Sequence, residues 1–437
     1  MAFPDPPAPS PTAPAPHDLG PIAPDMAAPA EAGQRLVALD VVRGIAVLGI
    51  LVANIIAFGQ PMAAYVWPGA FLTDPGQHGP LLWGLQLVLV DGKFRGLFAL
   101  LFGIGLELFH RRACARGHGK GLLARRLGWL ALFGFAHWAL LWRGDILLLY
   151  AVAGFLVMRW VGRGWERQLV LGLILYALGA AMGFAASVPV AQTAQATFAS
   201  GSPMVEVQES LAEVQRADLA DAAREAAILR AGDYPAMVAH TVSNHLAGLA
   251  GELAIAAIEV APLMLVGMGL LGAGLFDGTI ARRRRIVAGS ALWLAGTALS
   301  VPIALWAIRG GLTYWDCFAA FNGWLAVPHF LASLGLMALL ATWAERASSL
   351  AARALANAGR CAFSNYIGTS ALALAVFPAW GLDLFGRLDR LELYAVVPLF
   401  WALMLAWPTL WLARFRLGPL EWLWRCLTYG RLFPLRR

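Results

Sequence analysis

Runs of roughly 20 apolar residues, each long enough to cross a hydrocarbon core of about 30 Å, recur along almost the whole chain. They fall near residues 36–58, 81–109, 123–142, 145–161, 167–188, 253–276, 286–308, 324–343, 361–380 and 391–413. A backbone in lipid must satisfy its own hydrogen bonds, so each run is expected to be a helix. The expected fold is all-α, a polytopic transmembrane bundle of about ten helices. Composition agrees, with 59% of the 437 residues hydrophobic and 14% charged, against globular norms of about 45–50% and about 25%.

The positive charges set the expected orientation. Basic clusters at 110–126, 159–167, 281–285, 345–360 and in the C-terminal tail occupy alternate connections, which the positive-inside rule assigns to the cytoplasm together with both termini. The net charge of +7 follows from this sorting of arginines, so basicity is no argument for a nucleic-acid partner. Residues 1–34 hold ten of the 25 prolines and predict a disordered cytoplasmic tail. That segment lacks the apolar run of a signal peptide. The remainder divides into an N-terminal transmembrane half (35–188), an extracytoplasmic helical segment (189–252), a C-terminal transmembrane half (253–413) and a cytoplasmic tail (414–437).

Within these, 204–231 alternates in charge and reads as a solvated helix capping the bundle, whereas 415–431 mixes Trp, Leu and Arg and reads as interfacial. The stretch 81–109 is too long for one span, so 94–110 is expected to cross, preceded by a separate interfacial or re-entrant helix. The four cysteines have no paired spacing, so neither a disulfide nor a metal site is expected. GMGLLG at 267–272 matches a dinucleotide-binding fingerprint literally. With no strand before it, close helix packing is the expected role of its glycines.

The informative residues are the polar ones inside the apolar runs. On one helix Arg43 and Asn54 differ by only about 20° around the axis and stand about 16 Å apart along it, and Asp40 lies one turn before Arg43. Such a stripe should face the bundle or a wet cavity, because a charge near a helix centre costs roughly 2.5–3.5 kcal/mol. A structural ion pair would account equally well for Asp40 and Arg43, but not for Asn54 at the far end. The ten-helix topology also brings Asn54, Asp91, Lys93, Arg95, His137, Arg143 and Asp145 toward one outer depth, where His240, Asn244, His245, Glu252 and Glu259 can join them. Any single His among these is more simply a packing residue.

RLVALDVVRGIAVLGILVANI, GKFRGLFALLFGIG, RRLGWLALFGFAHWALLWRGDILLLYAVAGFL, NAGRCAFSNYIGTS and RFRLGPLEWLWRCLTYGR occur in this order. Together they resemble the multi-pass bacterial membrane family typified by YeiB, known as domain-of-unknown-function family 418, which implies an inner-membrane location. A wider resemblance points to chemistry. LDxxRG followed by a polar residue eleven positions after the Arg is similar to transmembrane acyltransferases, both the sugar O-acetylating enzymes and the lysosomal heparan-glucosaminide N-acetyltransferase. The polar residue here is Asn54, as in the lysosomal type, where the O-acetylating enzymes usually have His. Asp91 and Gly103 also match a spacing of the lysosomal type. The catalytic His of that type lies a little before the Asp, but the nearest equivalent, His78, falls beyond Pro80, which leaves His137 better placed.

This resemblance implies transfer of an acyl group from cytoplasmic acyl-CoA to an extracytoplasmic hydroxyl or amine on a glycan or lipid acceptor, without a metal. Arg43 would bind the anionic donor with Asp40 holding it, and Asn54 would orient the thioester or its oxyanion. His137 would act as base with Asp145 as its orienter, while Asp91, Lys93, Arg95 and Arg143 would contact substrate. A transporter of a small anion or envelope precursor is the rival class, since buried charges and glycine-rich spans suit it too.

Overall fold

A computed structural model describes residues 30–74 and 76–437, with side chains from Val37 onward. The tail expected over residues 1–34 lies outside the described residues up to residue 29. Fifteen α-helices follow: α1 (Ala30–Gly59), α2 (Gly79–Leu89), α3 (Lys93–Cys114), α4 (Lys120–Leu140), α5 (Leu147–Val157), α6 (Trp165–Gln195), α7 (Pro203–Ala231) and α8 (Tyr234–Gly272). The second half holds α9 (Arg282–Arg309), α10 (Tyr314–Ala319), α11 (Ala326–Ala344), α12 (Leu350–Arg360), α13 (Ala362–Val376), α14 (Arg390–Arg414) and α15 (Pro419–Tyr429). Strand pairing among the described residues is limited to one antiparallel bridge, Phe415 with Arg436.

Each of the ten expected segments is helical, and six helices are long and apolar enough to cross a membrane: α1 from Val37, α6, α8, α9, α11 and α14. The helices α3 and α4 have the length but are not among these six. Leu147–Trp160 and Ala362–Val376 are apolar but shorter. The long stretch at 81–109 divides as expected into α2 and α3. The break falls at Gly92, whose φ of +71° suits glycine and whose α-carbon packs on the His329 ring, leaving no room for a β-carbon.

Packing separates the spans by environment. In the most apolar window of α1, 78% of the residues are buried inside the protein, against 11% in α6, so α1 is the central helix and α6 faces outward. Without a hydrophobic drive between helices in lipid, close contact depends on small residues at the crossings. A β-carbon on Gly44 would strike the Leu355 carbonyl, and one on Gly359 the Asp40 carbonyl, which fixes α1 against α12. Gly103 and Gly267 do the same for α3 and α8, meeting the backbones of Met264 and Leu100. Gly269 and Gly272 of the GMGLLG segment rest on Leu169 and Trp165 of α6. The glycines of that motif serve helix packing.

The charged helix α7 caps one end of the bundle. Ser202 accepts from the Met204 N–H at its start, and Gly232 ends it in the left-handed conformation, with Asp233 then accepting from Ala236 N–H to begin α8. The turn folds α7 back along α8.

Candidate functional site

The α1 stripe faces a series of three cavities. The first, about 200 Å³, is lined by Arg43, Arg126, Arg360, Glu421 and Tyr366 among others. Tyr366 also walls a neck of about 10 Å³ together with Val47, Asn54, Phe58 and Ser370. Phe58 and Ser370 in turn wall a third cavity of about 60 Å³, which reaches Trp142, Arg143, Glu225 and His240. Arg43, Val47, Asn54 and Phe58 recur at helical spacing, so one face of α1 runs along all three, opposite Tyr366 and Ser370 of α13. The periodicity placed Arg43 and Asn54 on one face, and the fold puts them at the first cavity and at the neck.

The first cavity is basic. Arg43 Nη1 pairs with Asp40 at 2.8 Å, the Arg126 guanidinium lies 3.5 Å over the Trp424 ring, and Arg360 donates to the Arg416 carbonyl at 3.0 Å. Glu421 of α15 accepts from the Phe363 and Ser364 N–H groups and from the Ser364 hydroxyl at 2.6–3.0 Å. Burial pushes its carboxyl above the ordinary range, and these donors oppose that shift.

Behind Tyr366, and lining none of the three cavities, lies the His137–Asp145 pair. His137 Nδ1 is 2.8 Å from Asp145 Oδ1, with both side chains essentially inaccessible. Asp145 Oδ2 accepts from the Leu148 N–H at 2.6 Å, so the start of α5 fixes the carboxylate. A carboxylate only accepts, so in the neutral ring Nδ1 carries the proton and Nε2 the lone pair. Nε2 is buried without a hydrogen-bond partner. The ring centroid lies 5.1 Å from that of Tyr366. The Tyr366 hydroxyl accepts from Ile146 N–H at 3.1 Å, tying the wall of the neck to the same turn that holds Asp145.

The third cavity is polar at its mouth. Arg143 pairs with Asp221 at 3.1 Å and Glu225 at 3.2 Å on the capping helix. Trp142 Nε1 and Arg143 Nε are buried without partners, donors that a polar ligand would satisfy.

Asp91, Lys93 and Arg95 belong elsewhere. Asp91 Oδ1 accepts from Gln86 at 3.1 Å and from the Tyr65 hydroxyl at 3.4 Å, while Lys93 donates to the Leu87 carbonyl at 2.8 Å. Arg390 donates to Gln86 Oε1 at 2.7 Å, and Tyr394 bonds the same oxygen. Arg95 pairs with Glu259 of α8 at 2.7 Å. Among the described residues no hydrogen bond or ion pair joins this cluster to His137 or Arg143. Asn244 bonds His240, which with His245 lies beside Asp221.

Residue-by-residue reading passed over Arg126, Arg360, Glu421, Tyr366, Trp142, Asp221 and Glu225. A signal existed for Tyr366: Ser364, Asn365, Tyr366, Thr369 and Ser370 put polar groups at helical spacing in an otherwise apolar run.

Residues 274–431 match the family described as protein of unknown function (DUF418). The chain is 32% identical over 418 residues to the uncharacterised protein YeiB of Escherichia coli (strain K12), covering 92% of this chain and 98% of that one. It is 25% identical to the uncharacterised protein YxaH of Bacillus subtilis (strain 168), over 94% of this chain and 98% of the relative. An uncharacterised 39.9 kDa protein from the amylase 3' region of Bacillus acidopullulyticus is 26% identical, over 92% and 96% respectively. No solved structure matches the chain significantly.

Proposed function

This chain belongs to the YeiB-like DUF418 family, and on that premise we propose that it is a membrane acyltransferase carrying an acyl group from cytoplasmic acyl-CoA to an extracytoplasmic hydroxyl or amine. The observation that carries this reading is the pairing of unlike cavities along α1, arginines at one end and unpartnered donors at the other, with an oriented imidazole packed behind the Tyr366 ring that walls the narrow space between them. The topology that goes with it has ten spans and both termini in the cytoplasm of a bacterial inner membrane. Reporter fusions after Gly119 and after Gly201 then report opposite sides; the same side for both would exclude this arrangement.

Arg43, Arg126 and Arg360 hold the phosphates of the donor, since guanidinium groups stay charged and bond phosphate oxygens in pairs. The acyl thioester reaches the neck, where the Asn54 amide donates to its carbonyl oxygen as negative charge develops. The acceptor enters by the third cavity, against Arg143, Trp142 and Glu225. His137 Nε2 takes the proton from the attacking hydroxyl or amine while Asp145 holds Nδ1–H. The new bond to the acyl carbon forms, the carbon–sulfur bond breaks, and the coenzyme thiolate leaves toward the cytoplasm. Opening of the neck at Tyr366 accompanies this step. Asp91, Lys93 and Arg95, bonded within their own cluster, hold α2, α3 and α8 together instead of contacting substrate.

The test uses sealed vesicles with labelled acyl-CoA on the cytoplasmic face and a panel of glycan and lipid acceptors on the other. A covalently labelled acceptor is expected, and Arg43→Ala should lose donor binding while remaining monodisperse. Flux of a small anion with no labelled product in any preparation would identify a transporter. An Arg43→Ala protein that binds donor normally would return the Asp40–Arg43 pair to a purely structural role.

A further inference from the structure

The α7–α8 turn at Gly232 brings three metal-ligating side chains together from residues 11 before it and 8 and 13 after it. Antiparallel helices rising about 1.5 Å per residue put those positions at similar levels. Asp221 Oδ1 lies 3.1 Å from His240 Nε2 and 3.4 Å from His245 Nε2. All three ligand atoms lie within 4.8 Å of one another. Bonds of about 2.0–2.2 Å at tetrahedral angles hold neighbouring donor atoms about 3.3–3.6 Å apart, the spacing of a zinc site.

We propose that Asp221, His240 and His245 bind a zinc-type divalent transition cation at the mouth of the third cavity, with the fourth position open. Two further features point to a ligand, the state of His240 Nε2 and the division of the Asp221 oxygens. The His240 side chain is 9% exposed, yet its Nε2 is buried without a hydrogen-bond partner. The Asn244 amide nitrogen lies 2.9 Å from His240 Nδ1, and metal binding at Nε2 requires that amide to turn so that its oxygen accepts Nδ1–H, the usual outer support of a ligating imidazole. Asp221 divides its two oxygens, with Oδ1 toward the histidines and Oδ2 3.1 Å from Arg143 Nη1.

The guanidinium is the competing occupant, because Nη1 also donates to His245 Nε2 at 2.8 Å. That bond shows His245 Nε2 to be the lone-pair nitrogen, and a cation displaces Arg143 from it while Asp221 Oδ2 retains the contact. The bound ion joins α7 to α8 over the third cavity. A site with three protein ligands and an open position is also the pattern of zinc centres that polarise a bound oxygen. The binding claim stands whether or not the protein transfers acyl groups, although sequence alone gave no reason to expect a metal.

The test is cobalt(II) and zinc(II) binding to the full chain in detergent, purified without a polyhistidine tag. One equivalent is expected, with the intense visible bands of tetrahedral cobalt. His240→Ala and His245→Ala should raise the dissociation constant by more than the roughly 10–100-fold typical of losing an outer support. Asn244→Ala should fall within that range, Arg143→Gln should tighten binding, and His78→Ala and His118→Ala should bind as the wild type does. Should a ligand variant fail to fold, the wild-type cobalt spectrum and Arg143→Gln still decide. Substoichiometric binding without tetrahedral bands, weaker binding in Arg143→Gln, or unchanged binding in a folded His240→Ala protein would each overturn the site.

Discussion

His137–Asp145 and Asp91–Lys93 look alike in outline: each sets a buried acid just ahead of a helix with a basic partner nearby, and each was expected to stand toward the outer surface. Their surroundings separate them. Asp145 spends one oxygen on the Leu148 N–H and the other on His137, so the imidazole is oriented and its second nitrogen is left buried without a partner. Asp91 receives Gln86 and Tyr65, Gln86 in turn receives Arg390 and Tyr394, and Lys93 is held by a backbone carbonyl. Among the described residues, Arg390 Nη2 and the nearby His329 Nε2 remain unpartnered there. Burial of charge alone therefore does not distinguish a chemical site from a structural knot. The group that the buried acid orients does: an imidazole in one, amide and hydroxyl donors in the other.

The contrast breaks most directly at His137. If its free nitrogen is the base, His137→Ala lowers acyl transfer by about 10²–10⁴-fold with donor binding intact; wild-type turnover in this variant would remove it from the site. Asp145→Asn should fall between that variant and the wild type, because the base remains but loses its orienting carboxylate. Asp91→Asn is the matched change in the other cluster. It should cost about 1–3 kcal/mol of stability by removing the negative charge that faces Lys93 and Arg390, with turnover per folded molecule preserved. An Asp91→Asn protein that is as stable as the wild type yet inactive would reverse the assignment of the two clusters.

The smallest effect concerns Glu421. Its carboxyl is raised by burial, so the ionised form is the costly one. The stability it contributes is present below the ordinary carboxylate range and lost as pH rises through the higher folded value. Glu421→Gln should flatten that part of the thermal-stability profile, and an unchanged profile would mean that the surrounding donors fully offset the burial.

The helical segments were legible because apolar length is a local property of the chain, as were the division at Gly92 and the capping helix, both marked by turn and charge signals. The His137–Asp145 pair was also legible, since eight residues and one tight turn leave few alternatives. What lay out of reach was pairing across the bundle. Tyr366 meets Ile146 across 220 positions of sequence, and Arg390 reaches Gln86 across 304. Nothing in either segment's own periodicity names its partner. The same limit merged two clusters into one expected site, because depth along a helix can be counted from sequence whereas angular position in the bundle cannot.

The neck between Asn54 and Tyr366 has an electrical consequence. A volume of about 10 Å³ is at the lower limit for holding even one water, so a chain of waters along which protons could hop is interrupted there. Each 100 mV of membrane potential drives an elementary charge with about 2.3 kcal/mol, and a continuously wet passage would drain the gradient that energises the cell. On the proposed topology Tyr366 is the insulator between two wet compartments. Its bulk, more than its hydroxyl, supplies that barrier.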